Sequence, residues 1–247
     1  MKLLLVDAGN TRVKWAIADH DAALGHWLLH GAVAHADLDV LADAWRPHGV
    51  KRSIVANVAG AELRARLAAL LPPGEVEWFA STARRAGVAN GYRNPAQLGA
   101  DRFAAAIGAH ALAPGQAVVV AMCGTATTVD AVGSDGAFIG GMILPGLALM
   151  ASSLARNTAQ LPQAAPGAAA PPLFADNTND AIVSGCLSAQ AGAIERAMAA
   201  HRAGECILSG GASPWVASAL NIPHRLVDNM VLVGLHAAAQ DANDMEA

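Results

Sequence analysis

Leu3-Leu4-Leu5-Val6 runs straight into Asp7-Ala8-Gly9-Asn10-Thr11, and after Arg12 comes Val13-Lys14-Trp15-Ala16-Ile17. Four apolar residues in a row read as a buried strand, and the turn behind them reads as a phosphate-handling hairpin. The strand carries a carboxylate to its end, glycine permits the tight path that close approach to a phosphate requires, and Asn10 and Thr11 supply donors. The returning strand brings the cation of Lys14 back beside the turn. Asn and Gly also make plain hairpin turns; what distinguishes this one is a second copy. Val118-Val119-Val120-Ala121 leads into Cys123-Gly124-Thr125-Ala126-Thr127-Thr128, and Val129 to Val132 follows as a strand.

Outward from these turns, the order of elements repeats. After the first hairpin we expect a third strand over Gly25 to Val33, a helix over Asp37 to Trp45 stopped at Pro47, a strand over Ser53 to Val58, a helix over Glu62 to Leu71 and a strand over Val76 to Phe79. The second half gives strands near 117 to 122, 127 to 132 and 137 to 144, helices near 145 to 156 and 179 to 201, and a strand at Cys206-Ile207-Leu208. This is the pattern of an α/β fold made by duplication, with halves 1–115 and 116–247 and a ligand crevice between them. Residues 162–175 are rich in Pro, Gly and Ala, which excludes a helix interior or a central strand and leaves a lid or a filler loop. Asp241 to Ala247 reads as a frayed tail.

A net charge of −4 over 247 residues, with no Lys/Arg cluster, argues against a nucleic-acid surface and for small ligands. The first apolar run is too short for a signal peptide and no run is long enough to span a membrane, so we expect a cytoplasmic protein. Three widely spaced cysteines suggest neither a disulfide framework nor a zinc site. Cys123 reads as a small buried residue closing a strand rather than a nucleophile. His26 and His30 lack an acidic or Cys companion and read as core or solvated residues.

Phosphoryl transfer needs positioned dipoles and cations around the phosphate, and Mg²⁺ across its oxygens. Asp7 is placed to hold Mg²⁺, directly or through waters. Lys14 suits a β- or γ-phosphate, and Thr125, Thr127 and Thr128 offer hydroxyls and N–H groups unless they are simply β-branched strand residues. Gly99-Ala100-Asp101-Arg102 opens a helix, where an anion is favoured. Asp101 there is fit to accept a proton from a substrate hydroxyl, and Arg102 to pair with a substrate carboxylate; a helix-start Asp beside a surface Arg is the plainer reading. Tyr92, in the turn-rich Asn90 to Pro95, reads either as a substrate wall or as an aromatic packed on the surface. Ser209-Gly210-Gly211 ends a strand with room for a flat ring such as adenine, or makes an ordinary strand-to-helix turn.

Taken in order, Asp7 to Thr11 with Lys14, Tyr92, Gly99 to Arg102, Gly124 to Thr128, Gly140 to Gly146, Asn177-Thr178 and Leu208 to Gly211 resemble the type III pantothenate kinases, the family that also includes the Bvg accessory factors. The resemblance implies a duplicated actin-like fold of the sugar kinase, Hsp70 and actin type, related to ribonuclease H. It implies a homodimer that phosphorylates pantothenate with ATP and Mg²⁺ at the start of coenzyme A synthesis. By that resemblance ATP meets Asp7, Ala8, Gly9, Asn10, Thr11, Arg12, Val13, Lys14 and Thr125. Asp101 is the general base, and Tyr92, Gly99, Ala100, Asp101 and Arg102 line the pantothenate site, with Thr178 reaching it across the dimer. Many members carry an Asp that binds an activating K⁺ or NH₄⁺ two residues before the second turn glycine. This chain has Met122 there, and a thioether is a poor ligand for a hard cation. A nucleotide-binding regulator on the same fold is the alternative; Asp101, which a regulator has no need to keep, argues for the enzyme.

Overall fold

The computed structural model describes residues 1–167 and 169–241. In chain order the elements are β1 (Lys2–Ala8), β2 (Arg12–Asp19), β3 (Leu29–Ala34), α1 (Val40–Trp45), β4 (Arg52–Asn57), α2 (Ala61–Leu70) and β5 (Glu75–Phe79). There follow β6 (Arg84–Arg85), β7 (Val88–Asn90), α3 (Ala100–Leu112), β8 (Val118–Cys123), β9 (Ala126–Val132), β10 (Ala137–Pro145) and α4 (Leu147–Asn157). The last are α5 (Thr178–His201), β11 (Glu205–Ser209), α6 (Ser213–Ser218), β12 (His224–Leu226) and α7 (Met230–Gln240). The chain divides into two compact units. The first holds Met1–Gly115, Asp135–Phe138 and the chain from Asn229 onward; the second holds Gln116–Ser134 and Ile139–Asp228.

In the first unit the strands lie in the order β3-β2-β1-β4-β5, with β1 antiparallel to β2 and parallel to β4. A strand flanked on both sides and covered on both faces should be apolar throughout, and Leu3 to Val6 are fully buried. Leu4, Val6 and Ala8 pack with Leu38, Leu41, Trp45, Leu63 and Leu67 from the α1 and α2 region. Side chains alternate along a strand, so Leu3, Leu5 and Asp7 take the other face, where α7 meets β1 and α3 meets β4.

Helices α3 and α7 touch backbone to backbone. A Cβ on Gly108 would lie 2.9 Å from the Gly234 nitrogen, and a Cβ on Gly234 would overlap the Ala104 carbonyl. Gly234→Ala is therefore expected to cost about 3 kcal/mol of stability by forcing the helices apart. Urea unfolding would check this, and a loss within about 0.5 kcal/mol would contradict it.

The second unit repeats the arrangement. Its strands run β10-β9-β8-β11-β12, with β8 antiparallel to β9 and parallel to β11, as β1 is to β2 and β4. Helix α5 buries Ile182, Cys186, Gln190, Ile194 and Met198, a stripe at every fourth residue that packs against β8 and β11. Met122 occupies the position of Asp7, two residues before the turn glycine.

The third strand starts at Leu29, not Gly25, because the chain turns through Gly25 at a φ of 81°. The helix expected from Asp37 to Trp45 is split into a 3-10 turn, His35–Asp37, and α1. β6, β7, β12 and α7 had no counterpart in the sequence reading. Residues 162–175, as far as described, form no helix or strand. They are pinned by buried Ala164, by Trp215 Nε1 donating to the Gly167 carbonyl at 3.2 Å, and by the Ser184 hydroxyl donating to the Leu173 carbonyl at 2.8 Å. The tail expected from Asp241 lies, past that residue, outside the described residues.

Candidate active site

Asp7 closes β1 opposite Lys14 on β2, with the Lys14 ammonium 3.8 Å from Asp7 Oδ2. Asp7 as a whole is only 8% exposed. Burial pushes its pKa up to about 6; Lys14 pulls it down, and the charge of Asp101 pushes it up again. Two carboxylates far apart in sequence thus share one electrostatic neighbourhood, because Asp7 projects from the sheet face that α3 covers.

Both turns are closed by their glycine amide, the second one residue tighter than the first. Gly9 N–H donates to the Arg12 carbonyl at 3.1 Å and Gly124 N–H to the Ala126 carbonyl at 3.0 Å. Both glycine amides are spent on the hairpins. The residues exposed at the tips are Asn10, Thr11 and Arg12 in the first turn and Gly124, Thr125 and Ala126 in the second. His35 Nε2 lies 2.9 Å from the Gly9 carbonyl.

Asp101 sits in the first turn of α3, after Gly99 and Ala100. Its Oδ1 accepts the Arg102 N–H at 2.8 Å, and a Cβ on Gly99 would lie 2.6 Å from that oxygen. Glycine at 99 is what lets the carboxylate fold back over the helix start. Gly99→Ala is expected to rotate this short side chain, lowering kcat about 10- to 100-fold with the thermal midpoint changed by about 2 °C or less. A kcat within about twofold of wild type would refute the claim.

Arg102 is only 6% exposed, donates to the Tyr92 hydroxyl at 2.8 Å, and lies over the rings of Tyr92 and Phe138. The surface Arg of the plainer reading is therefore a buried one that holds Tyr92. Asn90 fixes the loop beneath: its Oδ1 accepts the Tyr92 N–H at 3.0 Å, and its Nδ2 donates to Ser81 Oγ at 2.9 Å and to the Thr82 and Pro95 carbonyls. No spacing rule marks Asn90, which acts through partners on both sides of it in the chain.

In the second unit Thr127 and Thr128 are buried, so of the three threonines offered for phosphate only Thr125 is exposed. The Thr127 hydroxyl donates to Gln190 Oε1 at 2.9 Å, and Gln190 Nε2 donates to the Pro145 carbonyl at 3.1 Å. The next residue, Gly146, donates its N–H to the Thr125 carbonyl at 2.9 Å, and a Cβ there would overlap the Gly124 carbonyl. Gln190 on α5 therefore braces the second turn, which the sequence did not disclose. Burial pushes the Cys123 thiol up to about 12, leaving it no nucleophile at neutral pH. Gly210, at a φ of 100°, is needed because a Cβ would overlap the Cys123 carbonyl, whereas a Cβ on Gly211 would meet nothing. The α5 N-cap is Asn177, whose Oδ1 accepts the Asp180 N–H at 3.0 Å. Thr178 is exposed at a cavity of about 860 Å³ between α4 and α5, lined mainly by Leu149, Met150, Leu154, Leu161 and Ile182.

Among solved structures, a conserved Baf family protein from Campylobacter jejuni superposes with a TM-score of 0.61 at 18% identity, covering 98% of this chain and 99% of its own. The activator of the 2-hydroxyisocaproyl-CoA dehydratase from Clostridium difficile gives a TM-score of 0.57 at 14% identity, with 99% and 95% covered. These likenesses concern the fold, which is the duplicated actin-like one of the sugar kinases. A relative from Herminiimonas arsenicoxydans, named type III pantothenate kinase, is 59% identical over 250 residues, covering 96% of this chain and 97% of its own. The model of that family matches residues 3–200, from the first buried strand through α5. This chain belongs to the type III pantothenate kinase family.

Proposed function

We infer that the protein transfers the γ-phosphoryl group of ATP to the primary hydroxyl of pantothenate, yielding 4'-phosphopantothenate and ADP at the start of coenzyme A synthesis. Besides family membership, the observation that supports this is the Asp7 and Asp101 neighbourhood, which sets a helix-start carboxylate beside a phosphate turn. In this reading residues 7–14 and Thr125 meet ATP. Tyr92, Gly99, Ala100 and Arg102 line the pantothenate site, with Arg102 facing the substrate carboxylate. Asp101 accepts the hydroxyl proton as the oxygen attacks γ-phosphorus, and the bond from that phosphorus to the ADP oxygen breaks.

Asp7 fits Mg²⁺: it is a hard oxygen donor whose pKa is raised mainly by burial, and a bound cation would favour its ionised form. Bound there with ATP, the ion would neutralise charge on the phosphate oxygens. The residues around Met122 do not fit K⁺ or NH₄⁺. Its register partners are Thr128, whose hydroxyl is buried without a partner among the described residues, and Ser209. The buried carboxylate on that face of β9, Asp130, pairs in register with Val120 rather than with Met122, and we expect turnover not to depend on a monovalent cation.

In the second unit Ile143, Leu149, Leu154, Leu173 and Phe174 are exposed. We read this apolar surface as the homodimer contact across which Thr178 reaches the partner's pantothenate. Among the described residues no helix is long and apolar enough to cross a membrane, and we place the reaction in the cytoplasm.

The test is ADP release from ATP and Mg²⁺, with and without pantothenate, in Na⁺, K⁺ and NH₄⁺ buffers. The expected result is pantothenate-dependent release at similar rates in all three. Release only with K⁺ or NH₄⁺ would overturn the Met122 reading. No release from protein that still binds ATP would overturn the kinase reading in favour of a nucleotide-binding regulator.

A further inference from the structure

His35 lies outside every motif quoted above, yet it touches the first phosphate turn. It stands in the 3-10 turn that follows β3, half-buried, with Nε2 2.9 Å from the Gly9 carbonyl oxygen. A carbonyl oxygen only accepts, so Nε2 carries a hydrogen and donates it, whether the ring is neutral or charged. On its other side the same glycine is held by its N–H bond to the Arg12 carbonyl at 3.1 Å.

Peptide geometry converts this bond into a direction. The chain has no cis peptide among the described residues, and in a trans peptide the carbonyl and the following N–H point opposite ways. Holding the Gly9 carbonyl on His35 therefore turns the Asn10 N–H away from His35, at the exposed tip of the turn. Glycine is the residue least able to hold that peptide plane by itself, because rotation about its backbone meets no Cβ. A flipped Gly9-Asn10 peptide would present a carbonyl oxygen, the negative end of the dipole, where a donor is needed. The second turn, with Gly146 and Gln190 packed beneath it, has a different brace.

We propose that His35 is a positioning residue for ATP: by holding the Gly9 carbonyl it aims the Asn10 N–H at a nucleotide phosphate. This rests on the reading of residues 7–14 as the ATP phosphate site. A ring that merely filled space would affect both substrates and stability together. A ring that orients one donor affects the nucleotide alone.

The experiment compares wild type, His35→Ala and His35→Gln, the last keeping a side-chain N–H donor of similar reach. ATP affinity is measured by calorimetry without pantothenate, KM for each substrate by ADP release, and folding by thermal midpoint. His35→Ala is expected to raise the ATP Kd and KM about tenfold with the pantothenate KM unchanged, and His35→Gln to recover to within about threefold of wild type. An unchanged ATP Kd in His35→Ala would overturn the proposal. So would equal losses for both substrates with a lowered midpoint, or a Gln variant no better than Ala. If wild type binds ATP but shows no pantothenate-dependent turnover, the kinase reading fails while the calorimetric comparison still judges His35. Wild type that binds no ATP overturns both.

Discussion

Asn in place of Asp101 is expected to lower kcat about 10²- to 10³-fold, with the ATP KM within about threefold of wild type. Asn matches Asp in shape and keeps a carbonyl oxygen for the Arg102 N–H that Asp101 Oδ1 accepts at 2.8 Å, so the start of α3 should survive. What is lost is the capacity to take a proton. General bases contribute in the range of about 10²- to 10⁴-fold, and a loose phosphoryl transfer, in which the proton leaves late, belongs toward the lower end. Steady-state kinetics on protein of unchanged thermal midpoint would decide. A kcat within about threefold of wild type would show that Asp101 is not the base, whatever else it does for the helix.

Asp7→Asn should give the opposite pairing, an enzyme that is disabled but more stable. Burial pushes the Asp7 pKa from 3.8 in the unfolded chain to about 6 in the folded one. Between those values the folded state binds more protons, so the Asp7 contribution to stability declines as pH rises through this window, and the full penalty applies above it. Roughly two pKa units amount to about 3 kcal/mol. Asn removes that penalty, which is already net of the favourable Lys14 charge.

The nucleotide-free, Mg²⁺-free variant should therefore gain about 3 kcal/mol over wild type in urea unfolding at pH 8, shrinking toward zero at pH 4. Meanwhile kcat/KM for ATP should fall at least about 100-fold, since a neutral amide no longer attracts a cation beside the phosphates. A stability difference that is the same at both pH values would refute the electrostatic account, and intact turnover would refute the role of Asp7 in phosphate handling.

The expected duplication rested on two apolar strands that each end in a glycine turn, and each of those strands lies in the middle of the same run of five, β1 in β3-β2-β1-β4-β5 and β8 in β10-β9-β8-β11-β12. Central strands are legible because burial on both faces requires an unbroken apolar run, and the turn glycines because a closed hairpin needs their backbone freedom. Helix α7 escaped the reading for a related reason. Met230 to Gln240 is apolar on nearly every side, so it shows no face to read, and its partner α3 lies more than a hundred residues earlier, across the whole second unit.

The sequence by itself determined the chemistry on offer: Asp7 opposite Lys14, a carboxylate at the start of α3, three threonines at the second turn, and a thioether at Met122. Local chain geometry suffices for these, since strand register and helix position follow from neighbours in sequence. Only the tertiary structure decided which of these groups act together and what holds them. It brought the charge of Asp101 to bear on Asp7, buried Arg102 against Tyr92, turned Thr127 onto Gln190, and set His35 on the Gly9 carbonyl. Each couples groups ten or more residues apart, fixed by sheet order and helix packing, and no pattern within a single element encodes it.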